Sequence, residues 1–335
     1  MHEELLVTGR ANALIDPSLH IWTWEVAMYL FLGGLTAGIM VFAAVMALLR
    51  KDDEAPFSST QLALLAPIVL SVGMTTLFLD LEHKLYVFRF YTAFQIASPM
   101  SWGAWILILI YPVSILQILS TIRRGYPITN QIVDRWAIAR WAVSWCEKHR
   151  RQIALVAIPS GVALGIYTGI LLSAFSARPF WNSGVLGPLF LVSGLSTAAA
   201  LVALISSKKS EKELFTRIDL VIILAEIALV ALFLINLASG SAQQIEALGS
   251  ITGGPYTMVF WVLFVGIGLI IPLLIEMLEM RGLMKSLAMV APVLVLLGGY
   301  VLRQVMLDIG QESTWTNYPT QYSSELLERM EMTNR

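Results

Sequence analysis

Residues 26–49, VAMYLFLGGLTAGIMVFAAVMALL, run for 24 positions without a charged side chain. A helix rises 1.5 Å per residue, so a hydrocarbon layer about 30 Å thick needs about 20 apolar residues. Seven further runs have this character: Leu62–Leu79, Trp102–Ile122, Gln152–Phe175, Leu186–Ser206, Ile218–Leu237, Tyr256–Ile275 and Ser286–Met306. The sixth carries Asp219 and Glu226, and the eighth carries Arg303. None alternates with period two, and an open sheet edge cannot sit in lipid. The expected fold is an all-α membrane protein with eight transmembrane helices.

Composition agrees. Of 335 residues, 57% are hydrophobic and 13% are charged, against about 25% charged in a soluble domain. A disordered chain and an ordinary soluble globule are excluded. A net charge of −1 gives nucleic acid nothing to bind. The single cysteine, Cys146, excludes intrachain disulfides, Cys-ligated zinc and a self-held iron–sulfur cluster. The four histidines (His2, His20, His83, His149) all lie outside the apolar runs, so no haem is expected.

Lysine and arginine set the orientation. The loops after the odd-numbered spans hold 15 of them; both termini and the even loops hold 7. The richer side is expected in the cytoplasm, with both termini in the periplasm and the chain in a bacterial inner membrane. Residues 1–21 lack the basic start of a signal peptide, carrying Glu3, Glu4 and Asp16 against Arg10. They are expected as a periplasmic segment. Residues 22–177 are then a first four-helix bundle, 178–309 a second, and 310–335 a polar tail. In the cytoplasmic loop 123–151, Trp136, Trp141 and Trp145 alternate with Arg135, Arg140 and Lys148. This reads as a helix lying among membrane lipid headgroups. Glycines four apart, Gly34/Gly38 and Gly161/Gly165/Gly169, suit close helix packing. A weak repeat relates residues 30–37 to 189–198.

Ionisable residues inside a bilayer point to function, because each costs at least about 2.5 kcal/mol. Glu276 and Glu279 read as a helix end paired with Arg281, while Glu226, Glu276 and Arg303 together leave a proton path through the second bundle as the other reading. Glu226, deep in the sixth span, is either a proton relay or a hydrogen-bonded structural carboxyl. Arg303 either snorkels or pairs with a buried acid. One cluster gathers residues from several helices at a single depth on the outer side. It comprises His20, Asp80, Glu82, His83, the stretch Ser98–Trp102, Tyr167, Arg178, Trp181 and Asn182. An imidazole, a phenol, carboxyls and amphipathic rings at one level suit a lipophilic redox ring. A quinone has two oxygens that need hydrogen-bond donors, and its reaction moves two protons. Histidine can donate and exchange protons near neutrality.

Three segments resemble the NrfD/PsrC family, the membrane subunits of polysulphide reductase-like complexes. They are residues 22–38 (WTWEVAMYLFLGGLTAG), residues 98–105 (SPMSWGAW), and residues 167–173 (YTGILLS) followed by Arg178–Trp181. Leu302-Arg303 and Gly310-Gln311 are similar to the family's last helix. The resemblance implies two four-helix bundles and no ligated cofactor in the chain. It implies a menaquinone or ubiquinone site at the periplasmic face. A ferredoxin-like iron–sulfur partner would dock there, with a molybdopterin or other catalytic subunit beyond it. It places His20 and Tyr167 on the quinone; Trp102 and Trp181, from the same outer-side cluster, are candidates to line the site with them. It implicates Asp80 and Glu82 in proton handling; from their residue types and positions, His83 and, deeper in the membrane, Glu226 are further candidates for proton transfer. At Asp80-Leu81-Glu82-His83 the sequence departs from the family's Asp-Leu-Gly. The contrasting reading is a proton- or ion-coupled secondary transporter. It is supported by the repeat and Glu226, but the spans lack the Pro/Gly breaks typical of midplane substrate sites.

Overall fold

The structure is a computed structural model that describes residues 21–283 and 289–314. Ten helices of eight or more residues follow one another. They are α1 (Trp24–Leu48), α2 (Phe57–Asp80), α3 (Pro99–Leu119), α4 (Ala137–Lys148), α5 (Arg150–Ser173), α6 (Leu186–Ile205), α7 (Lys209–Ala238), α8 (Ala242–Gly249), α9 (Val259–Met280) and α10 (Val290–Glu312). All except α4 and α8 are long and apolar enough to cross a membrane, which makes eight spans. No strand occurs among the described residues. The first turn of α2 and residues Val259–Ile270 of α9 are wound as π-helix.

The spans are longer than their apolar cores. α7 begins at Lys209 rather than Ile218, because the intervening Lys, Glu and Leu are good helix formers and no Pro or Gly interrupts them. α10 runs to Glu312 rather than ending at Met306, because Asp308, Gln311 and Glu312 all find polar partners.

α1 sits at the centre, packed on α2, α5, α6 and α10; α6 in turn packs on α7, α5 and α10, and α9 packs on α10 and α7. Small residues make the α1–α6 crossing possible. A Cβ on Gly194 would lie 2.5 Å from the Gly34 carbonyl oxygen, and one on Gly38 would lie 2.5 Å from the Ala198 Cβ. The two repeat-like stretches are the two sides of this crossing.

α4 shows three faces. Val143 and Cys146 pack on the protein, Ile138, Trp141 and Trp145 are exposed, and Arg140, Ser144 and Glu147 form a polar ridge. A helix lying at the lipid–water boundary has this pattern. At this basic face two acids, buried Glu211 and half-buried Asp52, tie the helices together. Glu211 accepts from Phe57 N (3.2 Å), Ser58 N (2.7 Å), Ser58 Oγ (2.6 Å) and Ser206 Oγ (2.7 Å). Asp52 accepts from Arg124 Nη1 (2.6 Å) and, in a two-pronged contact, from Arg150 (2.9 and 2.7 Å).

Candidate functional site

A cavity of about 490 Å³ opens at the end of the molecule opposite the basic loops. Each wall follows from helix periodicity. Val26, Tyr29 and Leu30 come from one stripe of α1, and Trp22 precedes it; Met74, Leu77, Phe78 and Asp80 come from the last turns of α2. Met100, Ala104 and Leu107 come from α3; Tyr167, Leu171 and Leu172 come from α5. Residues three and four apart share a helix face, so each helix contributes one such stripe. Leu81, Val87, Phe90 and Tyr91, from the segment between α2 and α3, form the remaining wall.

The lining is apolar with a few polar groups. The Tyr29 and Tyr167 phenols face each other inside the cavity. Gly103 makes room for the Tyr167 ring: a Cβ there would fall 1.8 Å from Tyr167 Cζ. Asp80 is half-buried at the mouth, near Glu25. Burial pushes the Tyr91 phenol up from its ordinary 10.0, and nearby Tyr111 adds to this. Trp22 is fixed on every side. Its backbone N–H donates to Gln311 Oε1 and its carbonyl accepts from Gln311 Nε2, both at 2.8 Å. Its ring stacks on Trp181 (centroids 5.7 Å apart) and meets Phe175 edge-on (5.5 Å).

The residues singled out from sequence fall in different places. Tyr167 and Asp80 line the cavity. His20 lies outside the described residues. Trp181 is buried beneath Trp22, donating to the Met306 carbonyl at 2.7 Å, and does not line the cavity. Trp102 does not line it either; it is 40% exposed and donates to the Ile96 carbonyl at 2.6 Å, closing the connecting segment. Glu82 and His83 are exposed beside the cavity mouth, His83 Nδ1 4.0 Å from Glu82 Oε2. Sequence reasoning did not single out Tyr29, Tyr91 or Gly103 as site residues. Tyr29 had a signal, because Val26, Tyr29 and Leu30 recur at helical spacing on one face. Tyr91 had none.

Glu226 belongs to a second polar group, among α6, α7, α9 and α10. Arg303 is fully buried and donates to Ser193 Oγ, the Gly299 carbonyl (3.0 Å) and the Phe190 carbonyl (2.9 Å). Ser193 also faces the Glu226 carboxyl. Arg303 therefore does not snorkel; it is held among carbonyls and a serine. Glu276 was expected at a helix end beside Arg281. It is instead 2% exposed and faces Asp219, which accepts from Ser196 Oγ at 2.7 Å. Helical winding turns Glu276 inward while Glu279, one turn later, reaches the surface.

Among the described residues, no three His, Cys, Asp or Glu side chains are grouped to hold a metal ion. The cavity can take a flat, lipophilic molecule of moderate size. Its phenols can donate to oxygen, and Asp80 can pass a proton at the mouth. Ligand cavities of about 300–1,000 Å³ with few polar groups are typical of such sites.

The family model described as "Polysulphide reductase, NrfD" matches residues 13–313. Over 304 residues the sequence is 27% identical to a polysulfide reductase chain from Wolinella succinogenes, covering 87% of this protein and 94% of that one. It is 30% identical over 273 residues to Protein NrfD of Escherichia coli, covering 76% and 84%. A selenate reductase subunit from Mesobacillus selenatarsenatis is 30% identical over 145 residues, covering 38% of this protein and 34% of that one.

Proposed function

Because the chain belongs to the polysulphide reductase NrfD family, we propose that it is the quinone-reactive membrane subunit of a respiratory oxidoreductase complex. The observation that carries this reading is the apolar cavity of about 490 Å³ with the paired phenols of Tyr29 and Tyr167 inside it. A quinone ring fits its character, because two ring oxygens need donors within an otherwise apolar envelope. Tyr167 and Tyr29 donate to these oxygens. Leu30, Met74, Leu77 and Phe78 hold the ring and exclude water. His20, two residues before Trp22 in the sequence, is assigned as a further donor to these oxygens on the strength of the family resemblance.

Oxidation of a quinol yields one quinone, two protons and two electrons. Asp80 takes protons at the cavity mouth, and exposed Glu82 and His83 pass them to water. Reduction runs the same groups in reverse. With one cysteine in the sequence, the electrons need an outside carrier. An iron–sulfur subunit docked over the cavity mouth supplies it, with a molybdopterin or other catalytic subunit beyond. The relatives favour such an assembly, because one is a chain of polysulfide reductase and another a subunit of selenate reductase. The positive-inside distribution supports a periplasmic side for the cavity mouth and this partner.

The test is binding of a fluorescent quinol analogue to the purified complex, with co-purified quinone extracted and identified. A donated hydrogen bond contributes about 1 kcal/mol, so Tyr167→Phe should weaken binding by about fivefold. His20→Ala should abolish quinone-linked turnover while dye-linked activity of the catalytic subunit persists. Wild-type affinity in both variants would sink the assignment of this cavity.

A further inference from the structure

A cleft of about 370 Å³ opens on the basic side of the molecule, between the first turns of α7 and the end of α9. It shares no residue with the quinone cavity. Lys209, Lys212, Glu213, Thr216 and Arg217 form one wall, and Glu279, Met280 and Gly282 form the other. The α7 residues recur three and four apart, so they share one face of the helix. They also come just before the apolar run that starts at Ile218. The cleft therefore sits where the hydrocarbon layer gives way to lipid headgroups.

The charges lining it do not cancel. There are three cations, Lys209, Lys212 and Arg217, against two acids, Glu213 and Glu279. Lys209 Nζ stands 3.7 Å from Glu213 Oε1, an exposed pair one turn apart. Glu279, half-buried, faces Lys212 and Glu213 across the cleft. Among the described residues, no carboxylate forms an ion pair with Lys212 or Arg217. Setting Lys209 against Glu213, and Glu279 against one of the other two cations, leaves one positive charge unanswered.

The edge of the cleft nearer the membrane is apolar. Below Arg217, Val221 and Leu224 continue the same stripe of α7, four and seven residues on, and both are exposed. Below Met280, Met277 and Leu274 do the same on α9, also exposed. A charged cleft leading onto two apolar stripes is complementary to an amphiphile rather than to a soluble anion. Basic pockets between membrane spans are suited to phospholipid headgroups.

We infer that this cleft holds the phosphodiester headgroup of one anionic phospholipid of the phosphatidylglycerol kind. Its single net negative charge answers the charge left over in the cleft. Lys212 and Arg217 take the phosphate oxygens, and the acyl chains lie along the exposed stripes of α7 and α9. A zwitterionic headgroup carries no net charge and leaves the cleft unneutralised. The inference goes beyond the quinone reading and does not depend on it.

Native mass spectrometry of the purified full-length protein in detergent tests this. The protein is titrated in separate arms with phosphatidylglycerol, phosphatidylcholine and inorganic phosphate. Wild type should bind one phosphatidylglycerol at least about fivefold more tightly than phosphatidylcholine. Lys212→Gln and Arg217→Gln should each weaken phosphatidylglycerol by about fivefold and leave phosphatidylcholine unchanged. Arg217→Lys, which keeps the charge, should bind within about twofold of wild type. Should Lys212→Gln fail to fold, Arg217→Gln, on an exposed position, carries the test. Equal wild-type affinity for the two lipids would overturn the proposal, as would wild-type phosphatidylglycerol affinity in either folded Gln variant. Displacement of the lipid by an equal concentration of inorganic phosphate would also overturn it, and would mark a site for a soluble anion. Quinol-analogue binding, measured on the same samples, should be the same in every variant, so failure of the quinone reading would show separately.

Discussion

Gln311 grips the backbone of Trp22 at both its N–H and its carbonyl, across 289 residues of sequence. The last span therefore positions the segment that enters the first, and with it one wall of the cavity. Trp181 lies underneath, stacked on the Trp22 ring and fixed by its own bond to the Met306 carbonyl. The cavity is built on four helices, but its rim is held by α10.

Removing that grip should loosen the site without unfolding the protein. Gln311→Ala leaves the Trp22 N–H and carbonyl without their partner, at a cost of about 1–3 kcal/mol. Quinol-analogue affinity should fall by roughly three- to tenfold, with a modest drop in melting temperature in detergent. Fluorescence titration beside a thermal melt checks this. Unchanged affinity would mean that Trp22 does not shape the cavity.

Much of this arrangement was legible in the sequence, and the reasons are physical. Eight apolar runs were readable because a helix must hide its backbone from lipid along its whole length. Tyr167 and Asp80 stood out because polar groups at one depth on different helices converge. Trp181 and Trp102 were harder, because an indole is equally at home as a ring platform, a buried prop or an interfacial anchor, and only its neighbours decide which. Tyr91 left no trace, since it lies in a connecting segment without periodicity. Glu276 was misplaced because sequence shows distance along a helix but not which neighbour its face meets.

Gly103 decides whether Tyr167 can occupy its place. In an ordinary helix interior Gly→Ala is stabilising by about 1 kcal/mol. Here the added methyl would fall 1.8 Å from Tyr167 Cζ, so the ring must leave. Overpacking of this kind costs about 1–3 kcal/mol, and Gly103→Ala should lose at least about tenfold in quinol-analogue affinity. Recovery of affinity in Gly103→Ala/Tyr167→Leu, relative to Gly103→Ala alone, would confirm that the clash is with this ring. A Gly103→Ala protein that binds as wild type would show that α3 can move aside.

Glu211 should matter to stability and not to the cavity. It collects four donors from the start of α2 and the end of α6, including two backbone N–H groups at a helix N-terminus, where negative charge is favoured. Glu211→Ala leaves these donors buried and unanswered, a loss of about 3–5 kcal/mol by analogy with broken buried ionic contacts. The melting temperature in detergent should drop sharply, while quinol-analogue affinity of the folded fraction stays at the wild-type value. A silent substitution would show that water or a neighbouring carbonyl replaces the carboxylate.

Asp52 gives the basic face a specific acid sensitivity. The Arg150 guanidinium bonded to its carboxyl, helped by Arg124, holds it at about 2, below its ordinary 3.8. A depressed carboxyl pKa means that the native state binds the proton less readily than the unfolded one. The contribution is therefore fully present above about pH 4 and is lost as pH falls from there through about 2. Asp52→Asn removes the charge at every pH. Its melting temperature should lie below wild type at pH 6, and the gap should close as the pH is lowered toward 2. Melting curves of both proteins between pH 6 and pH 2 check the sign. A gap that stays constant across this range would mean that the Asp52 contact acts through packing and not through its charge.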